Sequence, residues 1–211
     1  MSGKREQIIE AASDLVHIKG FNHTSVDDIL QKTGIKKGNF YFYFKSKEEL
    51  GFAVVEHYIE QFRRECLSPI LASDDTAFNK LMRLLDTLEM EQSESGCCGG
   101  CLFGNMALEL SDLHEGFRKR LQEIFQGMSD LFYRLLEESA GELQKDVDLR
   151  EVAQFIVAGL EGGIMLAKVH KNITPMRQCL RQLKRYLVLL RLKSAMNNSG
   201  LNTRSERGRV Q

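Results

Sequence analysis

Apolar residues recur at intervals of three and four residues along almost the whole chain, and this spacing restricts the fold more than any other feature. In residues 4–19, for example, an α-helix would bring Ile8, Leu15 and Ile18 to one face. Only two of the 211 residues are proline, so few positions oblige a helix to end. Because 43% of the residues are hydrophobic, the chain can also form a real core. The sequence therefore predicts an all-α globular protein.

The first part of the chain contains start and stop signals for four helices. Thr24 is suited to cap the second helix, and Gly34 interrupts the chain after it. A third short helix is expected from about Lys36. The segment Ser46–Glu49 has the Ser and the Glu of a capping box, which predicts the start of a fourth helix. We expect that helix to end near Pro69, because proline interrupts the hydrogen bonding of a helix.

Five more helices are predicted from the same spacing in the rest of the chain. They cover about residues 78–88, 101–110, 117–135, 148–170 and 174–194. The glycine-containing segment SGCCGG separates the first two of them. The last residues, 195–211, are polar and have no helical spacing, which predicts a disordered tail. The expected total is about nine helices.

The segment KKGNFYFYFKSKEEL, residues 36–50, places five consecutive aromatic residues between lysines. Aromatic side chains are usually buried and lysines are usually exposed, so the segment has to serve two environments. On a helix that begins in this segment, Phe40 and Phe44 lie four residues apart and share one face, which we expect to pack under the first two helices. Tyr41 and Asn39 lie on other faces. The helix is therefore predicted to have a core side and a polar side that can contact phosphates and base edges.

Residues 24–45 combine a short helix, a turn with a glycine and a second short helix. This is the plan of a helix-turn-helix, whose second helix enters the major groove of DNA. The whole chain has 29 basic and 29 acidic residues, so its net charge does not indicate a polyanionic partner. However, the segment Lys32–Lys47 contains five lysines and no acidic residue. Such a patch can neutralise phosphates, and it argues against a helix-turn-helix used only for protein contacts.

The stretch TSVDDILQKTGIKKGNFYFYFKSKEEL, residues 24–50, resembles the amino-terminal domain of TetR-type transcriptional regulators. The family pattern there is roughly Thr, an apolar residue and Ile-Ala, then Gly-Val-Ser-Lys-Gly-Thr-Leu-Tyr-x-Tyr-Phe, Lys and Ser-Lys-Glu-x-Leu, and the resemblance extends over about residues 5–60. The chain differs where it has Lys36, Asn39 and Phe42, and these differences bear on which operator sequence it reads. The resemblance implies DNA contacts for Thr24, Ser25, Lys36, Lys37, Gly38, Asn39, Tyr41, Phe42, Tyr43, Lys45 and Lys47.

This resemblance implies a homodimer of nine-helix subunits that acts as a ligand-responsive repressor. Residues 1–47 would bind double-stranded operator DNA, and residues 48–194 would bind a small-molecule effector and form the dimer. In this family layout, effector binding changes the spacing of the two recognition helices and releases a palindromic operator. The segment CLFGNMALELSD, residues 101–112, also resembles one branch of the family. No cofactor is implied.

The methionine and phenylalanine residues of the second domain are candidates for an apolar effector pocket, since such pockets are mainly apolar with few polar groups. A similar stripe is expected in the core of any helical bundle, and both interpretations stay open. The candidate pocket residues are Phe62, Met82, Cys101, Phe103, Asn105, Met106, Phe125, Met128, Phe132 and Met165. Further polar candidates are His57, Glu109, Tyr133 and Glu161.

The segment AGLEGGIMLA, residues 158–167, has three glycines inside a predicted helix. Glycine destabilises a helix by about 1 kcal/mol relative to alanine, so these positions indicate that another helix crosses closely. The last helix is apolar on more than one side, and we expect the last two helices to form a four-helix dimer interface. The candidate interface residues are Phe155, Gly159, Gly163, Leu180, Leu183, Leu187 and Leu190. The basic residues of the last helix are interpreted as a solvated face rather than a membrane contact.

The cluster GCCGGC contains Cys97, Cys98 and Cys101 and leaves several interpretations open. A zinc site needs four ligands, and neither a second CxxC nor a nearby His pair accompanies the cluster, so no metal is expected. A thiol-based redox or electrophile sensor is an alternative function, since a thiol at a helix amino terminus favours the reactive thiolate. Small residues in a turn are the simplest interpretation.

Two further classes of protein are disfavoured by the sequence. No combination of acid, base and nucleophile is recognisable, and a thioredoxin-like enzyme would need a βαβ unit, so no enzymatic activity is expected. The amino terminus has no apolar stretch of the signal-peptide type, and the longest uncharged run is too short to span a bilayer. The protein is therefore expected to be cytoplasmic and to have no membrane partner.

Overall fold

The computed structural model describes residues 3–191, and within them the chain is all-α, as predicted. The helices of this part are α1 Lys4–Lys19, α2 Val26–Thr33, α3 Lys37–Tyr43, α4 Lys47–Phe62, α5 Ala77–Glu94, α6 Leu102–Leu110, α7 Glu115–Glu138, α8 Leu149–His170 and α9 Thr174–Leu190. Counted with the extension of α4 described next, these nine helices of the described residues match the expected number. The predicted tail at 195–211 lies outside the described residues.

Helix α4 ends close to the predicted position but passes through the proline. Its regular part is followed by one π-helical turn, Arg63–Leu67, and then by a last α-helical turn, Ser68–Leu71. In the wider turn the Ser68 N–H donates to the Arg63 carbonyl, five residues earlier. In a regular helix the ring of Pro69 would collide with the carbonyl four residues before it. The π turn relieves that collision, so the helix continues.

Ser25, rather than the predicted Thr24, caps α2. The Ser25 hydroxyl accepts from the Asp28 N–H at 3.0 Å, and the Asp28 carboxylate accepts from the Ser25 N–H at 2.8 Å. The Thr24 side chain is buried instead, and its hydroxyl donates to the Gly20 carbonyl at 2.8 Å. Both residue types are good caps, and only the fold determines which of the two lies outside the core.

The buried apolar residues form two clusters. The first cluster unites α1–α4 with α6 and the first half of α7, and it includes Phe40, Phe44 and Phe117. The second cluster unites α5, the second half of α7, α8 and α9. Phe125 and Met128 of α7 pack against both clusters. Helix α6 therefore packs with the amino-terminal helices, although α5 separates it from them in the chain.

Helix α8 is long and apolar enough, by length and composition, to cross a membrane. The core helices of soluble proteins often have the same composition, and α8 packs against both α7 and α9. Two of its exposed apolar side chains, Phe155 and Leu166, line an outer groove that it shares with α9. The apolar character of α8 thus has a structural explanation in this fold.

Candidate DNA-binding surface and ligand cavity

Helix α3 has one buried side and one exposed side, as its aromatic run predicted. Phe40 and Phe44 are fully buried in the first cluster. Tyr41 and Phe42 remain exposed, with 44% and 74% of their surface accessible. Tyr41 packs edge to face on Phe40, with 5.2 Å between the ring centroids, so its exposed ring is also supported from below. The aromatic run therefore contributes to the core and to an outer surface.

In the folded chain, acidic residues of α1 and α2 lie beside the segment Lys32–Lys47, which itself contains no acidic residue. Lys32 Nζ lies 2.7 Å from the Asp14 carboxylate, and Lys37 Nζ lies 3.8 Å from that of Asp27. Both pairs are exposed to solvent. Exposed ion pairs contribute little stability and are screened by salt, so phosphates can compete for these lysines.

The outer side of α3 presents an open surface. Lys36 and Lys45 are exposed, and within residues 3–191 neither of them forms an ion pair. Gly38 is exposed as well, and a Cβ atom added there would have no neighbouring atom within 4 Å. Asn39 and Tyr43 are half-buried at the edges of this surface. A negatively charged backbone can approach α3 closely at this side.

Two other residues predicted to contact DNA are held in the fold. The prediction is wrong for the Thr24 side chain, because it is fully buried. Lys47 donates to the Asn22 carbonyl at 3.3 Å, and its ammonium lies 4.5 Å from the centroid of the Phe21 ring. Burial lowers the pKa of Lys47 from its ordinary value. Lys47 thus stabilises the turn before α2. Ser25, which follows Thr24 in the chain, is exposed, and its hydroxyl caps α2.

A cavity of about 80 Å³ lies between α4, α5, α6, α7 and α8. Its walls are mainly apolar, and they include five predicted pocket residues: Phe62, Cys101, Phe103, Met128 and Phe132. The wall residues that were not predicted include Tyr58, Glu91 and Gln92. Tyr58 lies one turn before Phe62 on α4, so helical spacing alone could have identified it. Ligand cavities usually measure about 300–1,000 Å³, so this one is contracted.

The other predicted pocket residues do not line this cavity. Met106 is fully buried in the first cluster, and Met82 packs on the second cluster. Three more lie in an outer groove between α6 and α8: Asn105, Phe125 and Met165. The Asn105 side chain is held there because its Oδ1 accepts from Lys168 Nζ at 2.9 Å. These assignments were wrong for this cavity because a helical stripe does not show which cluster each residue joins.

One of the further polar candidates, Glu161, lines the cavity. His57 lies 3.1 Å from a carboxylate of α1, and Tyr133 donates to a glutamate one turn later on α7. Glu109 accepts from the Asn22 N–H at 2.9 Å. Each of these three side chains contacts another part of the fold, and none of them lines the cavity.

Glu161 of α8 reaches the first turn of α6 because Gly104 leaves room for it. A Cβ atom at position 104 would collide with the Glu161 carboxylate. Burial raises the pKa of this carboxyl from its ordinary value, and a hydrogen bond from the Cys101 thiol opposes the rise. The cavity therefore holds an acidic group that has lost much of its hydration.

Cys101 caps α6, as its position in the sequence suggested, but its thiol is not activated. Its sulfur accepts from the Gly104 N–H at 3.4 Å. Burial and the charge of Glu161 raise the pKa of the thiol far above its ordinary value. The expectation of a lowered pKa was wrong, because the loss of hydration outweighs the helix terminus. Cys97 is buried, and Cys98 is exposed.

Two polar residues of α5 complete the cavity wall. Glu91 accepts a hydrogen bond from the Cys66 thiol, whose pKa is raised to about 12 by burial and by this contact. The Gln92 Nε2 donates to the Gly100 carbonyl at 3.4 Å, which fixes the orientation of the amide. Its Oε1 is buried, and among the described residues it has no hydrogen-bond partner. Gln92 therefore presents a free acceptor.

The turn between α5 and α6 is docked on α1. His17 Nε2 donates to the Gly100 carbonyl at 2.7 Å, the same carbonyl that Gln92 contacts. A Cβ atom at Gly99 would lie 2.7 Å from His17 Nε2, and the backbone there has a φ of 77°. Glycine is required for this close approach. The Gly100 carbonyl thus connects Gln92 of the cavity wall to His17 of α1.

Two of the three glycines of α8 face α9 of the same chain. A Cβ atom added at Gly163 would lie 3.4 Å from Met176 Cγ, and one at Gly159 would lie 3.7 Å from Leu183 Cδ2. All four predicted interface leucines are buried inside the subunit, at 1%, 5%, 0% and 8% exposure: Leu180, Leu183, Leu187 and Leu190. Of these, only Leu183 also lines the groove described next. The assignment of Leu180, Leu187 and Leu190 to an interface was wrong, because the widest apolar stripe of α9 faces its own core.

A separate apolar face on α8 and α9 is exposed. We call it the outer α8–α9 face, and its large exposed side chains are Phe155, Leu166 and Tyr186, which line one groove. Phe155 and Tyr186 pack edge to face, with 5.7 Å between the ring centroids, so the two helices share this face. Of the predicted interface residues, Phe155, Gly159, Gly163 and Leu183 line the groove beside it. Contiguous apolar patches of this kind usually mark a binding surface.

Both clusters of the fold match known protein families. The sequence model described as bacterial regulatory proteins, tetR family, matches residues 8–54. The model described as tetracyclin repressor-like, C-terminal domain, matches residues 77–183, just over half of the 211 residues. The two matched segments do not overlap. The first contains α2 and α3, and the second begins at α5 and ends within α9.

Whole-length relatives agree with these matches. An uncharacterized HTH-type transcriptional regulator of Lactococcus lactis subsp. lactis is 32% identical over 169 residues, which cover 80% of this chain and 85% of that protein. The HTH-type transcriptional repressor DhaR of Mycobacterium sp. strain GP1 is 26% identical, over 83% of this chain and 88% of its own. The crystal structure of the regulatory protein TetR from Rhodobacter sphaeroides is 28% identical and has a TM-score of 0.79, over 86% and 97% of the two chains.

Proposed function

This chain belongs to the TetR family of transcriptional regulators, and we propose that it is a repressor that binds a palindromic operator as a homodimer and leaves it when a small molecule enters the cavity. Regulators of this family bind DNA through a helix-turn-helix and are generally ligand-responsive. One observation carries the proposal. Helix α3, whose exposed side is flanked by lysines, is followed in the chain by α4, and α4 also forms a wall of the cavity.

We assign the DNA contacts to the open side of α3. Lys36 and Lys45 neutralise phosphates, and Gly38 lets the DNA backbone approach between them. Phe42 and Tyr41 pack on the sugar and phosphate groups beside α3. Base edges are left to the half-buried Asn39 and its neighbours, because an asparagine can pair with adenine.

The outer α8–α9 face supports the homodimer. Phe155, Leu166 and Tyr186 are exposed on two adjacent helices beside an apolar groove, and a surface of this composition is one that a second copy would cover. A two-fold axis through this face pairs α8 and α9 with their counterparts in a four-helix arrangement. The two recognition helices then read half-sites about 34–36 Å apart, or a multiple of this distance.

Helix α4 is the first connection between the cavity and the DNA. It begins directly after the recognition segment, and Tyr58 and Phe62 on it face the cavity. A ligand larger than the contracted cavity of about 80 Å³ has to move this wall. The movement rotates α3 together with the helices that pack on it. The two recognition helices of the dimer then no longer fit both half-sites at the same time.

Helix α6 provides a second connection. Its first turn lies against Glu161, and at its other end Glu109 accepts from the backbone of Asn22, in the turn before α2. Gly104, which faces Glu161, and Glu109 are five residues apart, so the two contacts are only about 7.5 Å apart along the helix axis. A ligand that moves Glu161 therefore acts on a rigid element that ends at the helix-turn-helix.

Selection of bound sequences from randomised duplexes tests the proposal with the full-length protein. We expect an inverted repeat whose half-site centres are about 10–10.5 base pairs apart, or a multiple of that distance. Lys36→Ala and Lys45→Ala should each weaken binding to the selected operator. Each should also lower the magnitude of the slope of log affinity against log salt by about 1.8, because a dimer loses two phosphate contacts of about 0.9 each. Lys145→Ala, at an exposed position between α7 and α8, is the matched control and should change neither quantity.

Two outcomes would contradict this function. Recovered sequences without an inverted repeat would speak against a dimer that reads two half-sites. An unchanged salt slope in both lysine variants would remove α3 from the DNA interface.

A further inference from the structure

The wall of the cavity has an unusual balance of polar groups. It contains two carboxyl groups, Glu91 and Glu161, and the free acceptor of Gln92. None of the described residues that line it is a lysine, an arginine or a histidine. Its side-chain donors are the Tyr58 hydroxyl, the Cys101 thiol and the Gln92 amide, and the last two already contact Glu161 and the Gly100 carbonyl. The cavity thus offers many acceptors and few donors.

The remainder of the wall is aromatic and aliphatic. Four aromatic side chains surround the space: Tyr58, Phe62, Phe103 and Phe132. The faces of aromatic rings attract cations, and rings combined with a carboxylate form the usual environment for an organic ammonium group. An anion would lose its hydration here beside two acidic groups and would gain no basic partner.

We propose that the effector is an organic cation, an amine or ammonium group attached to an apolar ring or chain, bound between Glu161 and the aromatic wall. This inference rests on the proposed function, since it names the chemistry of that effector. The ammonium group contacts the Glu161 carboxylate and stabilises its ionised form. A second N–H of a protonated amine satisfies the Gln92 acceptor, and the apolar part packs against Phe62 and Met128.

The size of the cavity limits the first probes. An engineered cavity of about 150 Å³ holds benzene, so a space of about 80 Å³ admits a ring only if a flexible wall residue moves. Met128 provides this freedom, because methionine is unbranched and adapts its shape. Probes with one ring and a short chain are therefore appropriate.

Three compounds of nearly equal shape separate charge from size: 4-phenylbutylammonium, 4-phenylbutanol and 4-phenylbutyrate. Calorimetric titration of the full-length protein at neutral pH should show that the ammonium compound binds at least about ten-fold more tightly than the alcohol, a difference of about 1.4 kcal/mol. The butyrate should not bind measurably. Glu161→Gln should lower the affinity for the ammonium compound at least about ten-fold and leave that for the alcohol unchanged.

Controls separate chemistry from shape. Glu138→Gln, at an exposed position on α7, should leave all three affinities unchanged. Thermal unfolding of Glu161→Gln establishes that the variant is folded, and Glu91→Gln supplies a second removal of charge from the same cavity. The proposal is overturned if the butyrate binds as tightly as the ammonium compound. It is also overturned if the ammonium compound fails to bind at millimolar concentration, or if Glu161→Gln weakens alcohol and ammonium equally.

A parallel measurement distinguishes this inference from the proposed function. Fluorescence anisotropy of the selected operator reports whether the bound ammonium compound releases DNA. Binding without release supports the chemistry of the cavity and contradicts the ligand-responsive function. Release by the butyrate rather than the ammonium compound supports the responsive function and contradicts the organic cation.

Discussion

The DNA-binding surface and the ligand cavity are built from the chain in opposite ways. The surface comes from one continuous stretch, in which Lys36, Gly38, Phe42 and Lys45 are close in sequence. The cavity takes its wall from five helices between α4 and α8, and residues a hundred positions apart in the chain face each other across it. The surface is therefore a local property of the sequence, and the cavity is a property of the assembled fold.

This difference decides what can be changed in each region. In the surface, neighbouring residues have different roles, because each turn of α3 has a core side and an outer side. In the cavity, one substitution alters a wall that several helices share, so its effect extends to α4 and α6. The predictions that follow test this contrast, beginning with the largest expected effect.

Phe40→Ala and Phe42→Ala, two residues apart in α3, should have opposite consequences. Phe40 is fully buried, so its truncation should lower the free energy of unfolding by about 3–5 kcal/mol. Phe42 is 74% exposed, and its truncation should change stability by less than about 0.5 kcal/mol while it weakens operator binding. Urea unfolding and operator titration measure the two effects. Equal losses of stability would show that the outer side of α3 is part of the core.

Much of the fold was predictable because helical spacing is a local signal. The number of helices and the division of the aromatic run into Phe40 and Phe44 inside and Tyr41 outside followed from intervals of three and four residues. The apolar composition expected of a ligand pocket placed Phe62 and Phe103 among the pocket candidates, and both line the cavity.

The remaining errors share a physical cause. Met106 and Leu187 lie on apolar stripes that were identified correctly, but the stripes pack into the subunit rather than around a ligand or a partner. Cys101 begins a helix, yet burial in the assembled fold and then the charge of Glu161, sixty residues later, raise the pKa of its thiol. Sequence spacing identifies a face of a helix and does not identify what that face meets.

The outer α8–α9 face can be tested with a buried residue of the same helices as its control. Phe155→Glu places a charge in the proposed interface and should raise the dimer dissociation constant at least about thirty-fold, since aromatic interface residues often contribute about 2 kcal/mol or more. Leu187→Ala creates a cavity inside the subunit and should lower its stability by about 2–5 kcal/mol without a comparable effect on the dimer. Sedimentation over a range of concentrations separates the two. A variant at position 155 that stays fully dimeric at nanomolar concentration would place the interface elsewhere.

Gly38→Ala should make the free protein more stable and the complex with DNA weaker. Alanine stabilises a helix by about 1 kcal/mol relative to glycine, and a Cβ at this position meets no atom of the protein. In the complex the methyl group occupies the space that we assign to the DNA backbone, which should lower operator affinity about ten-fold. Thermal unfolding and anisotropy provide the two measurements. Gain of stability with unchanged affinity would mean that DNA does not approach Gly38.

Glu161→Gln should reveal the smallest effect, and only above a certain pH. Burial raises the pKa of this carboxyl above its ordinary value of 4.5, so the folded state disfavours the ionised form that the unfolded state accepts. The wild-type protein therefore loses stability as pH rises from about 4.5 through the pKa of the folded state, and the loss is then complete. Glutamine has no such ionisation, so the melting temperature of the variant should exceed that of the wild type by a few degrees at neutral pH, where 1 kcal/mol corresponds to about 2–4 °C in a chain of this size. Below about pH 4.5 the difference should disappear.

A difference that is the same at pH 4 and pH 7.5 would instead come from the lost hydrogen bond with Cys101, and the ammonium compound should then stabilise both forms equally.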